Sequence, residues 1–278
     1  MTAFLKMHGL GNDFVVFDAR KEGLALSRDT ARALADRRFG IGCDQVVVIE
    51  RARTPADAFL RFLNSDGGEV ESCGNATRCV ARLLMEEKDK PEVVLDTVGG
   101  KLFCTDAGEG LVTVDMGEAK FAWDEVPLAR PADTNTFSLN VDGAEHVAAA
   151  VSTGNPHCIL FVDDAENAPV DTLGPRIEAH PMFPKRTNVE FVTPLGGDRL
   201  RMRVWERGVG ITSACGTGAC ATLVAAARRG LAARKADVIL DGGTLEIEWT
   251  ADSHVRMTGP VATSFSGVLD ESLLRGAA

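Results

Sequence analysis

The stretch Ser72-Cys73-Gly74-Asn75-Ala76-Thr77-Arg78-Cys79 is echoed in the second half of the chain by Ala214-Cys215-Gly216-Thr217-Gly218-Ala219-Cys220. Each run sets a cysteine and a glycine just ahead of a helix-forming segment, Val80-Ala81-Arg82-Leu83-Leu84-Met85 in one half and Ala221-Thr222-Leu223-Val224-Ala225-Ala226-Ala227 in the other. A cysteine at a helix start meets the positive end of the helix dipole and unpaired backbone N–H groups, which favours the reactive thiolate. Two such cysteines, one per half, predict a matched pair facing one site. That arrangement suits a reaction that removes a proton from one face of a carbon and returns one to the other.

The two runs are 142 residues apart, and other features recur at 142 or 143. Gly11-Asn12 ahead of Phe14-Val15-Val16-Phe17 answers to Gly154-Asn155 ahead of Cys158-Ile159-Leu160-Phe161. Gln45 before Val46-Val47-Val48 answers to Asn188 before Val189-Glu190-Phe191-Val192. Asn64, closing Phe59–Leu63, answers to Glu206, closing Leu200–Trp205, and Gly99-Gly100-Lys101-Leu102 answers to Gly242-Gly243-Thr244-Leu245. Five pairs in one order at nearly constant spacing predict two copies of a single α/β unit.

Within a unit the pattern reads as strand, helix, several strands, a buried helix and more strands. Residues 27–38 read as a helix with Ser27 as its N-cap. Segments 14–18, 45–50, 58–63, 92–96, 101–104 and 111–115 are short and apolar or β-branched, as strands are. The segment after Cys215 is apolar nearly all round, so it is a buried helix. The expected fold is therefore α/β with mixed sheets, in two pseudo-symmetric domains, each a sheet wrapped around a central helix. Residues 1–118 form the first domain, joined by the tail 263–278, and 119–262 the second, with the active site in the cleft between them. The stretch Ala119–Pro131 is the crossover. Single polar residues at strand ends are ordinarily turn or edge residues. Their recurrence in both copies favours Asn12, Gln45, Asn64, Asn155, Asn188 and Glu206 as residues lining that cleft. An amide both donates and accepts, which suits a ligand carrying ammonium and carboxylate groups.

Composition narrows the class. The 278 residues allow two domains of ordinary size. A net charge of −10 argues against a nucleic-acid partner. The first residues show no basic-then-apolar leader and no apolar run is long enough to cross a bilayer, so the chain reads as cytoplasmic with no membrane partner. Seven cysteines without a Cys-x-x-Cys pair do not make a disulfide framework or a metal site. Cys43, Cys104 and Cys158 in strand-like stretches, and Cys79 and Cys220 inside helices, read as small buried hydrophobes.

Taken together, Gly9-Leu10-Gly11-Asn12-Asp13-Phe14, Asn64-Ser65-Asp66-Gly67, Ser72-Cys73-Gly74-Asn75, Gly154-Asn155-Pro156-His157, Trp205-Glu206-Arg207-Gly208 and Ala214-Cys215-Gly216-Thr217-Gly218 resemble the diaminopimelate epimerase family, over essentially the whole chain. The resemblance implies a cofactor-independent epimerase that interconverts LL- and meso-diaminopimelate in lysine biosynthesis, working as a homodimer. It implies Cys73 and Cys215 as the acid/base pair. Asn12, Gln45, Asn64, Asn155, Asn188, Glu206 and Arg207, with the backbone at Gly74-Asn75 and Gly216-Thr217, become the substrate-binding set. His157 and Glu206 become the groups that tune the cysteines. Arg207 suits the second, unreactive carboxylate of the substrate, which a guanidinium binds as a fork. The chain departs from the family in two places. Ala76-Thr77-Arg78 stands where Gly-Ala-Arg is common, and Phe265 stands where a tyrosine often contributes to the dimer contact. The alternatives are a proline or hydroxyproline racemase of the same fold, a non-catalytic amino-acid-binding protein, and a redox sensor joining Cys73 to Cys215.

Overall fold

The structure is a computed structural model that describes residues 2–270 and 273. The chain divides into two compact units, Met1–Val114 with Gly259–Ala278, and Asp115–Thr258. Of the tail expected to join the first half, residues 271, 272 and 274–278 lie outside the described residues.

The first unit holds β1 (Thr2–Gly9), β2 (Asn12–Asp18), α1 (Arg28–Ala35), β3 (Gln45–Glu50), β4 (Ala58–Asn64), β5 (Glu69–Val70), α2 (Gly74–Lys88), β6 (Glu92–Thr97), β7 (Gly100–Gly108) and the start of β8 (Leu111–Glu118). The second holds β9 (Phe137–Val141), β10 (Ala144–Ser152), β11 (Pro156–Phe161), α3 (Val170–Glu178), β12 (Asn188–Pro194), β13 (Arg199–Glu206), β14 (Gly210–Ile211), α4 (Gly216–Arg228), β15 (Lys235–Leu240), β16 (Gly243–Trp249) and most of β17 (His254–Pro260). The last strand, β18 (Ala262–Leu269), returns to pair antiparallel with β1, from Thr2 opposite Leu269 to His8 opposite Ala262.

Pairing repeats between the units strand for strand. In the first, β2 runs parallel to β3, β3 antiparallel to β4, β4 parallel to β6, and β6 antiparallel to β7. In the second, β11, β12, β13, β15 and β16 follow the same sequence of directions. A parallel step needs a crossover, and α1 and α3 supply it between the first two strands of each set. Because β4 and β13 run back against their neighbours, Gln45 lies opposite Asn64. In the second unit His157 lies opposite Asn188, and Glu206 ends the strand that follows. The recurring polar residues thus gather at one end of each sheet.

Burial explains why these segments form these elements. Val46, Val47, Val48, Leu60, Phe62, Val189, Phe191 and Val192 have no or almost no accessible surface, so their strands are covered on both faces. One core joins Val15, Phe17, Leu34, Val46 and Val48 under α1, and another joins Leu139, Cys158, Leu160, Ile177, Val189 and Phe191 under α3. Helix α4 is buried at Gly216 and from Gly218 through Ala226, as its apolar composition requires. Helix α1 is shorter than the expected 27–38 but starts as expected, with Ser27 Oγ accepting from Thr30 N at 3.0 Å. The nine-residue α3 was not legible in the sequence, because Gly174 and Pro175 both argue against a helix there.

Candidate active site

Cys73 and Cys215 are the N-caps of α2 and α4, each in an extended backbone conformation. Both helices are the longest of their units and aim their N-termini at the sheet end that carries the amides. The caps differ in detail. Cys215 Sγ accepts from Gly218 N at 3.4 Å and lies 3.6 Å from Thr217 Oγ1. Cys73 makes no side-chain cap bond, and its Sγ donates to Asn12 Oδ1 at 3.9 Å. Cys73 is half-buried and Cys215 is buried.

Around Cys73, Asn12 Oδ1 accepts from Asn75 Nδ2 at 3.1 Å, while Asn12 Nδ2 donates to Asp44 Oδ2 at 2.8 Å. Gln45 Nε2 donates to Asn64 Oδ1 at 2.8 Å. The buried Gln45 Oε1 has no hydrogen-bond partner among the described residues, an acceptor available to a ligand. The loop before this group is braced by Asp13, which takes Lys6 Nζ at 2.6 Å and Arg37 through both carboxylate oxygens. Burial alone would raise the Asp13 carboxyl. The Arg37 and Lys6 bonds and the Lys6 charge outweigh it and hold the group at about 2.

Around Cys215, a chain of side chains runs from the helix start into the core. Asn155 Nδ2 donates to Thr217 Oγ1 at 3.4 Å, Asn155 Oδ1 meets His157 Nε2 at 2.8 Å, and His157 Nδ1 meets Glu190 Oε1 at 2.6 Å. Both ring nitrogens of His157 are therefore engaged within its own unit. Asn188 Nδ2 donates to the Pro156 carbonyl, and Asn188 Oδ1 accepts from Arg207 N at 2.9 Å. The turn bearing Glu206 and Arg207 is pinned by Glu178 at the end of α3, which accepts from Trp205 Nε1 at 2.7 Å and from Gly208 N at 2.9 Å. Gly174 makes this possible, because a Cβ there would lie 2.6 Å from the Trp205 side chain. Glu206 accepts from Thr212 Oγ1. Arg207 is exposed, its guanidinium bonded to the Lys185 carbonyl at 3.3 Å.

The thiol of Cys215 departs from the expectation of a lowered pKa. Burial pushes it well above the usual value, helped by the charges of Glu206 and Glu190. The bonds from Thr217 and Gly218 N work in the opposite direction but lose. A helix end is worth about 0.3–1 kcal/mol at an exposed site, too little to overcome burial beside two carboxyls. Glu206 is itself raised from 4.5 to about 6, chiefly by burial. Burial also raises Cys43 and Cys79 to about 12, consistent with inert core thiols.

The structure brings Asn12, Asn75 and Cys73 together, joins Gln45 to Asn64, and links Asn155 and His157 to Thr217 beside Cys215. Two carboxyl residues in these clusters were missed in the sequence, Asp44 and Glu190. The signal for Glu190 was present: it is the one charge inside the apolar run Val189–Val192.

Solved structures of low sequence identity share this fold, among them amino-acid racemases, phenazine-biosynthesis proteins and a methylitaconate isomerase. A probable proline racemase from Agrobacterium radiobacter K84 superposes with a TM-score of 0.72 at 18% identity, covering 97% of this chain and 93% of that one. A hydroxyproline epimerase from Agrobacterium vitis gives 0.68 at 19% identity, covering 100% and 95%. Sequence narrows the class. The diaminopimelate epimerase family profile matches residues 4–122 and 149–264. Diaminopimelate epimerases from Rhodospirillum centenum and Erythrobacter litoralis are 56% and 54% identical, covering 98% and 96% of this chain and 94% and 97% of their own lengths. The chain belongs to the diaminopimelate epimerase family and is an isomerase.

Proposed function

We propose that the enzyme interconverts LL- and meso-diaminopimelate without a cofactor, Cys73 and Cys215 working on opposite faces of the α-carbon. The duplicated N-cap cysteine carries this reading: each unit offers one sulfur at the start of its principal buried helix, beside ligand-binding amides. The Cα proton is very weakly acidic, so the carbanion formed by its loss needs stabilising. Backbone N–H groups of Gly74-Asn75 and Gly216-Thr217, in the first turns of α2 and α4, supply donors to the carboxylate onto which that charge spreads.

In one direction a Cys73 thiolate takes the proton and the Cys215 thiol gives one to the other face, leaving Cys73 as thiol and Cys215 as thiolate. Burial and the two nearby carboxyls suit Cys215 to the thiol form at rest. The reverse direction exchanges the roles. Asn12, Gln45, Asn64, Asn155, Asn188 and Glu206 bind the polar groups of the substrate, and Arg207 its distal carboxylate. His157, held by Asn155, and Glu206, beside Cys215, tune the cysteine thiols.

The reaction belongs to lysine biosynthesis and takes place in the cytoplasm. Among the described residues, no helix is long and apolar enough to cross a membrane. A homodimer is supported by β18, where Phe265 and Val268 remain 50% and 59% exposed although the Phe265 ring packs edge-on to Phe4. The domains act as the halves 1–118 with 263–278 and 119–262.

LL-diaminopimelate incubated in deuterated water tests the reading. Wild type is expected to introduce deuterium at one α-carbon, and Cys73→Ala and Cys215→Ala each to lose epimerisation by at least about a hundredfold, the scale of a lost acid/base group. Exchange on proline but not on diaminopimelate would give the reaction to the racemase alternative. Unimpaired turnover by either alanine variant would remove the two-cysteine mechanism.

A further inference from the structure

Glu190 is the one fully buried carboxyl residue in the Cys215 cluster that the proposed mechanism leaves without a task. It has no accessible surface, lies in β12 among Val189, Phe191 and Val192, and meets His157 Nδ1 through Oε1. Oε2 is buried without a partner among the described residues. Leaving such an atom unpaired costs about 1–3 kcal/mol, so stability gives no reason for a glutamate here. A break of local rules at such a position points to function.

The partners of the neighbouring ring set its orientation. Asn155 turns its Nδ2 toward Thr217 Oγ1 and its Oδ1 toward His157 Nε2. Nε2 must therefore carry a hydrogen. The 2.6 Å contact between His157 Nδ1 and Glu190 Oε1 holds one further proton, shared between two atoms that both lie out of water. The carboxyl thus ties down one ring nitrogen so that the other is a donor of fixed direction, a role carboxylates commonly take behind a working histidine. The fit to the helix start is close, since a Cβ at position 218 would fall 2.8 Å from Glu190 Oε1 and 3.2 Å from Cys215 Sγ.

We propose that Glu190 is a positioning residue: acting through His157, it fixes the Asn155 amide with its N–H end toward Thr217, ready for the substrate at the start of α4. The inference rests on the reading of Asn155 as a substrate contact.

Glu190→Leu removes the tether while filling the space with an apolar side chain, and Glu190→Gln keeps a hydrogen-bonding partner for Nδ1. The expected result is a KM for diaminopimelate raised roughly threefold to tenfold in the leucine variant, the worth of about one hydrogen bond. The change in kcat is smaller, and the glutamine variant recovers most of the loss. A purely structural role would lower the amount of folded enzyme and leave KM alone. Long-range ¹H–¹⁵N spectra of the His157 ring provide a second readout, with Nε2 protonated in wild type near neutral pH. An unprotonated Nε2 in wild type overturns the proposal even if the leucine variant fails to fold. An unchanged KM in Glu190→Leu, while Asn155→Ala raises it, overturns it too and leaves the substrate reading standing. An unchanged KM in Asn155→Ala instead removes that reading, and the proposal with it.

Discussion

Replacing Glu206 by glutamine isolates the energetic cost of holding a carboxyl beside Cys215. The wild-type group is raised from 4.5 to about 6. Burial is the largest cause and Glu190 adds to it, while Thr212, His157 and Cys215 act in the opposite sense. Between those two values the unfolded chain has lost the proton and the folded chain still holds it. The folded state then binds more protons, so stability falls as pH rises through the window. At about 1.4 kcal/mol per pH unit the gap is worth up to about 2 kcal/mol. The contribution is fully present below 4.5 and gone above about 6. A glutamine cannot titrate, so the variant lacks this slope. Urea unfolding of wild type and Glu206→Gln, from about pH 4 to about pH 7.5, measures it as the difference between the two curves. Wild type should lose ground to the variant across the window by up to about 2 kcal/mol. A difference that stays level, or that moves the other way, would refute the argument that burial dominates this carboxyl.

Asp13 should show the opposite dependence. Its ion pairs with Arg37 and Lys6 lower it from 3.8 to about 2, a stabilisation of about 2 kcal/mol that is present above 3.8 and lost as pH falls toward 2. Unfolding curves of Asp13→Asn should therefore lie below wild type at neutral pH and converge with it in acid; parallel curves would contradict the assignment. Gly218→Ala forces a Cβ against Glu190 Oε1 and Cys215 Sγ. It is expected to cost about 1–3 kcal/mol of stability, the range for overpacking, and to slow deuterium exchange into diaminopimelate; wild-type values for both would mean the first turn of α4 has room to spare.

The sequence was most informative where chemistry repeats at fixed spacing. The constant offset between Cys73 and Cys215 anticipated both principal helices, and the apolar runs at 45–50 and 58–63 anticipated β3 and most of β4. What it concealed was set by contacts distant in the chain. Helix α3 forms despite Pro175 because Ile177 is buried in the core and Gly174 packs on Trp205, neither of which local propensity records. The raised thiol of Cys215 has the same origin. Its helix-start position is local and visible, whereas Glu190 and Glu206 reach it from strands β12 and β13. Even the partners of His157 divide this way: Asn155 is two residues off, and Glu190 is 33.

The pairing of β1 with β18 gives the two units different schedules on the ribosome. Asp115–Thr258 is one continuous stretch and needs nothing made after Thr258 to complete its own pairings. The other unit cannot. Its first strand carries β2 on one side, and its other edge, from Thr2 to His8, stays open until Ala262–Leu269 has left the exit tunnel. At roughly 5–20 residues per second, most of the time needed to make the chain passes with that edge unpaired. Such an edge is a template for unwanted strand addition. The half of the protein made first is thus the half finished last.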